Sequence, residues 1–113
     1  FPDKDKGLTA SMVNNYVKHG YLTKPDKKKY QRQQIARLIA ITTLKSVFSI
    51  QEIAQTLNTL QTQASSEQLY DAFVDYMNQG IDPANPIIQT SCQTVKLYHQ
   101  TLSLIHHTQE EEI

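Results

Sequence analysis

Glycine occurs only at positions 7, 20 and 80 of the 113 residues, and proline only at 2, 25, 83 and 86. So few breaks in the chain predict long helices. The same shortage excludes a glycine-rich phosphate loop. There is one cysteine, Cys92, which can neither close an intrachain disulfide nor furnish a cysteine-rich zinc site, and which suits a reducing compartment. A cytoplasmic location is expected. No run approaches the 18 apolar residues of a membrane span, and the opening FPDKDKG lacks the apolar segment of a signal peptide. Neither a membrane partner nor secretion is expected.

What is present suffices for one modest core. Apolar residues make up 39% of the chain and aromatics 8%, above the level that leaves a chain disordered, and the length predicts a single domain over residues 1–113. The net charge of zero conceals a segregation. Residues 1–48 hold ten Lys and Arg against three Asp, a net of +7, whereas residues 49–113 hold one Lys against eight Asp and Glu, a net of −7. A basic half of this kind commonly faces a polyanion. The competing reading is that the two halves attract each other, within one molecule or between two.

The few punctuation marks divide the chain into five predicted helices. Thr9 is placed to cap a helix running to about His19, with Val13, Tyr16 and Val17 on one face, Ser11, Asn14, Asn15 and Lys18 on the other, and Gly20 after its end. Residues 21–30 (YLTKPDKKKY) read as a loop or short hairpin turning at Pro25 and Asp26. A central helix follows from Gln31, with Ile35, Leu38, Ile39 and Ile41 or Thr42 repeating toward Leu44. Ser49 with Glu52 forms a capping box for a short helix carrying Ile53, Ala54 and Leu57, and residues 58–65 read as its connector to the next.

Ser65 with Gln68 repeats the capping box and opens a helix to about Gln79, ended by Gly80. Asn85 as cap with Pro86 at the first helical position then starts a helix toward His107, about 30 Å long. That helix carries two apolar stripes. One runs through Ile88, Cys92, Val95, Tyr98, Leu102 and Ile105, the other through Ile87, Leu97 and Leu104. Gln89, Gln93, Lys96, Gln100 and Ser103 form its wet face. Two stripes exceed one packing seam, so one is expected to meet the chain's own domain and the other, at Leu97 and Leu104, a second copy.

No catalytic constellation emerges, and no enzyme activity or cofactor is expected. His99 and His106 stand a heptad apart, about 10 Å, too far to share one metal ion. Cys92 lies on an apolar stripe as a small hydrophobe. The basic segment is more informative. Lys24, Lys27, Lys28, Lys29 and Arg32 fall within nine residues, interleaved with Tyr21 and Tyr30. They directly follow the helix that offers Ser11, Asn14, Asn15 and Lys18. Cations position a protein on phosphates, and an asparagine can make a bidentate contact to adenine in the major groove. The pattern points to double-stranded DNA.

The run TASMVNNYVKHGYL, then KPDKKKYQRQQIARLIAI, then LKSVFSIQEI resembles MerR-type winged helix-turn-helix regulators over about residues 9–60. More closely, it resembles a small family of MerR-like proteins from low-GC Gram-positive bacteria, a domain of unknown function. By position, Val13 and Tyr16 match packing residues of the recognition helix and Lys18 a basic residue there. Gly20 and Leu22 match the turn into the wing, Tyr30 its closing tyrosine, and Phe48, Ser49, Ile50, Glu52 and Ile53 the landmarks of the last winged-domain helix. Asn14 and Asn15 stand where MerR proteins usually carry arginine and tyrosine, and the wing is shorter and lacks glycine.

The first helix of the helix-turn-helix should precede residue 9, and FPDKDKGL is too short and too charged to be that helix. The expectation is therefore a fragment or a chain without that element. The resemblance implies a mostly α, winged helix-turn-helix architecture with two C-terminal helices over residues 65–107, and a homodimeric transcriptional regulator. The alternative is a helical protein-interaction adaptor that binds no DNA.

Overall fold

The computed structural model describes residues 8–111 and is built from five helices. These are α1 (Ala10–Lys18), α2 (Arg32–Leu44), α3 (Ile50–Gln61), α4 (Ser66–Gln79) and α5 (Pro86–Glu111). Whether a helix precedes residue 9 rests on residues 1–7, which lie outside the described ones. Among the described residues there is no strand, only an isolated antiparallel bridge between Asp26 and Lys29.

Each helix starts where local chemistry can satisfy its free N–H groups. Thr9 accepts from the Met12 N–H at 3.1 Å. Ser49 and Glu52 close one capping box and Ser65 and Gln68 another, and the Asn85 Oδ1 takes the Ile87 and Ile88 N–H groups. Such caps contribute about 1 kcal/mol each. Gly80 ends α4 at φ 69°, where its N–H and that of Ile81 return to carbonyls of the last turn. A side chain there would be strained.

α2 is the central element, touching α3, α4 and α5. Its buried residues are Gln34, Leu38, Ile41, Thr42 and Leu44. Ile35, expected on the core stripe, is instead 48% exposed, because the buried register runs through positions 34, 38 and 41 and turns position 35 outward. Around Ile41 the main core gathers Tyr16, Leu22, Leu38, Leu44, Ile53 and Val95. A second cluster packs Leu60, Ile88 and Cys92 beneath α4. Leu60 also corrects the expected connector. It continues the stripe of Ile53 and Leu57 and is 5% exposed, so α3 runs on to Gln61 and the link shortens to residues 62–65.

α5 has 26 residues, about 39 Å, and its second half extends past the core. Ile88, Cys92 and Val95 are buried, whereas Leu97, Leu102, Leu104 and Ile105 are exposed. Lys96 does not join the wet face. Its Nζ donates to the Tyr76 carbonyl at 2.8 Å and sits 4.4 Å from that ring's centre, a second donor to a carbonyl that already accepts the Gly80 N–H at the end of α4.

Candidate nucleic-acid interface

The outward face of α1 follows from its inward one. Tyr16 is buried and Met12, Val13 and Val17 pack against the same core, which turns Ser11, Asn14, Asn15 and Lys18 to solvent, all four exposed. Burial raises the Tyr16 phenol above its ordinary range. Its carbonyl accepts the N–H groups of Tyr21 at 2.8 Å and Leu22 at 3.3 Å. Gly20, at φ 77°, lets the chain double back for those bonds, and Leu22 plugs into the core.

The basic segment that follows is a minimal hairpin. The Asp26 N–H donates to the Lys29 carbonyl at 3.1 Å and the Lys29 N–H to that of Asp26 at 2.8 Å. Its two tip residues are Lys27 at φ 48° and Lys28 at φ 64°, so the reversal lies two positions beyond the expected one at Pro25 and Asp26. Positive φ at both central residues is the tight-hairpin geometry that ordinarily selects Asn-Gly. In lysine it costs about 1–2 kcal/mol per residue. The tip thus projects two long cations at a cost in backbone strain.

Two residues of α2 hold the hairpin's root. The Gln34 amide donates to the Thr23 carbonyl and hydroxyl, both at 2.9 Å, and to the Lys24 carbonyl at 3.1 Å. Its Oε1 accepts the Gln31 N–H that opens the helix. Arg37 donates from Nε to the Tyr21 carbonyl at 2.7 Å and from Nη2 to Asn58 at 3.0 Å. Burial lowers its pKa from the ordinary value. Sequence reasoning overlooked both. The usable signal was a polar residue in register with an apolar stripe, Gln34 with Leu38 and Ile41, Arg37 with Ile41 and Leu44.

Lys24, Lys27, Lys28 and Lys29 are exposed, and Tyr30 is half-buried against the core. Arg32 reaches Glu67 at 4.0 Å, with both side chains open to solvent. Among the described residues that is the only pair of a Lys or Arg with a carboxylate. Lys18 and the four hairpin lysines therefore have no carboxylate within 4.0 Å among the described residues.

A family model for a domain of unknown function, DUF1836, matches residues 2–73. The chain belongs to this family. No curated protein and no solved structure matches it. The DUF1836 region takes in α1, the hairpin, α2, α3 and the first half of α4, and leaves α5 outside it.

In this DUF1836 chain Cys92 is 1% exposed, and burial pushes its thiol up to about 11, so it is an inert thiol at neutral pH. His99 lies 5.4 Å from Tyr98, ring to ring, and His106 lies 3.6 Å from Glu110. Among the described residues no group of three His, Cys, Asp or Glu could hold a metal ion, and no helix is long and apolar enough to cross a membrane. Leu97 and Leu104 are 53% and 68% exposed.

Proposed function

We propose that this protein is a DNA-binding regulator of MerR-like, winged helix-turn-helix type that acts as a homodimer. The observation that carries the reading is the set of five exposed lysines, Lys18, Lys24, Lys27, Lys28 and Lys29, that no carboxylate of the described residues neutralises. Residues 11–18 enter the major groove, where Asn14 reads a base and Lys18 meets the backbone. The hairpin lysines, with Arg32 beside them, clamp phosphates. Tyr30 braces the hairpin from the core side rather than touching DNA with its whole ring. A two-fold axis through α5, with Leu97 and Leu104 at the contact, sets two such units on a pseudo-palindromic site.

An adaptor without DNA binding is favoured by one observation, the acidic half from residue 49 onward, which offers a second copy's lysines a complementary surface. Fluorescence anisotropy with random duplex DNA at low and moderate salt separates the two readings. A DNA binder weakens steeply as salt rises, and an adaptor shows no DNA binding at either salt.

A further inference from the structure

A small cavity, open on one side, indents the helical bundle. Between α2, α3, α4 and α5 it offers about 70 Å³ of mostly apolar space, where Ala36 and Ala40 face Leu57, Leu60 and Phe73. The two alanines leave room that a larger side chain would close. Toward the hairpin the cavity meets a larger and more polar cleft of about 430 Å³. Gln33, Arg37, Gln61 and Ser66 line both spaces, so Arg37 is the cation at the seam between an apolar chamber and a wet one.

Arg37 is also short of a counter-charge. Its bonds go to two neutral oxygens, the Tyr21 carbonyl and the Asn58 side chain. Among the described residues no carboxylate lies within 4.0 Å of it and no acceptor meets its Nη1. Among the described residues no buried side-chain nitrogen lacks a partner, so Nη1 faces the solvent of the cleft and is free to take an anion from it. A planar guanidinium with open N–H groups is suited to a carboxylate, whose two oxygens match its fork.

We propose that this seam binds a short aliphatic carboxylate, with its alkyl group in the cavity and its carboxylate on Arg37. The size follows from volume. An apolar cavity of roughly 150 Å³ takes a benzene ring, so this one admits an alkyl group of about three carbons. The isopropyl end of isovalerate fits that description. Lys24 lines the cleft together with Asp26, so the field there is that of a modest net positive charge and suits a monoanion. Because Arg37 also holds the Tyr21 carbonyl, occupancy is felt at the hairpin root. The site does not depend on whether the hairpin binds DNA.

The test is an amide-resolved NMR titration of the full chain with isovalerate, acetate and isoamyl alcohol. Saturable shifts at Ala36, Ala40, Leu60 and Tyr21 are expected with isovalerate. Acetate keeps only a methyl group and the alcohol lacks the charge, and each should bind roughly tenfold to a hundredfold more weakly. Ala40→Leu, checked for folding by its own spectrum, should lose the response. The absence of saturable shifts, shifts mapping elsewhere, or equal binding of alcohol and acid would each overturn the proposal, and the parent titration reads this without any variant.

Discussion

Gln34 and Thr23, eleven positions apart, are joined by two hydrogen bonds from one amide nitrogen, to the threonine carbonyl and to its hydroxyl, both 2.9 Å. With the Lys24 carbonyl as a third acceptor, a single buried side chain fixes the base of a hairpin that has almost no ladder of its own. Replacing Gln34 by Leu keeps the volume and removes every one of these bonds. The expected loss is about 1 kcal/mol of stability, the net worth of hydrogen bonds whose acceptors, on the exposed Thr23 and Lys24, water can reach in their place. Urea denaturation measures it, and hydrogen exchange should show faster protection loss at residues 23–29 than in α4.

The hairpin tip allows stability and binding to move in opposite directions. Lys27→Asn with Lys28→Gly suits the positive φ of both positions and should raise stability by about 1–2 kcal/mol. Removing two cations should also flatten the dependence of log K on log salt by roughly two per protomer if they lie on phosphates. Thermal denaturation and salt-titrated anisotropy on one protein measure both effects.

Cys92 predicts a pH dependence. Its folded-state thiol is pushed up to about 11 from an ordinary value of 9.0. The neutral form is the one the core accepts, so this contribution is complete below pH 9 and is lost as pH rises through 9 toward 11. The loss amounts to about 2–3 kcal/mol. Tyr16, also raised by burial, adds the same sign from about pH 10. Cys92→Val should flatten the stability profile between pH 9 and 11 relative to the parent.

Leu97→Glu with Leu104→Glu should produce monomers without unfolding. Both residues are exposed, so each change should alter the stability of the isolated fold by no more than about 0.5 kcal/mol. Light scattering reads the mass. A dimer that persists in the double variant would move the interface away from this face of α5.

The parts of this fold legible in the sequence are those whose chemistry is local. Thr9, Ser49 with Glu52, Ser65 with Gln68, Gly80, and Asn85 with Pro86 each declare a helix end within four residues, and each stands at one. Tyr16 and Leu38 follow from helical spacing. Contacts across the chain were not legible. Ile35 and Leu60 exchange expected roles because which side of a stripe is covered depends on neighbours distant in sequence. Lys96 finds Tyr76 only because α4 and α5 lie side by side. The hairpin turns at Lys27 and Lys28 rather than at Pro25 and Asp26, because tertiary anchoring by Gln34 overrides lysine's poor preference for positive φ.

In the candidate site the exposed residues of α1 and the lysines were legible as a pattern. Gln34 and Arg37, which hold them, were hidden as polar residues within an apolar register.

The central claim, that unneutralised lysines of the hairpin clamp phosphate, is tested most directly by the salt dependence of duplex DNA binding for the parent and for Lys27→Gln, Lys28→Gln and Lys29→Gln combined. The account predicts that the triple variant binds specific and random DNA more weakly and that its slope flattens by roughly three per protomer. A triple variant that binds random DNA as tightly as the parent, with an unchanged slope, would contradict it.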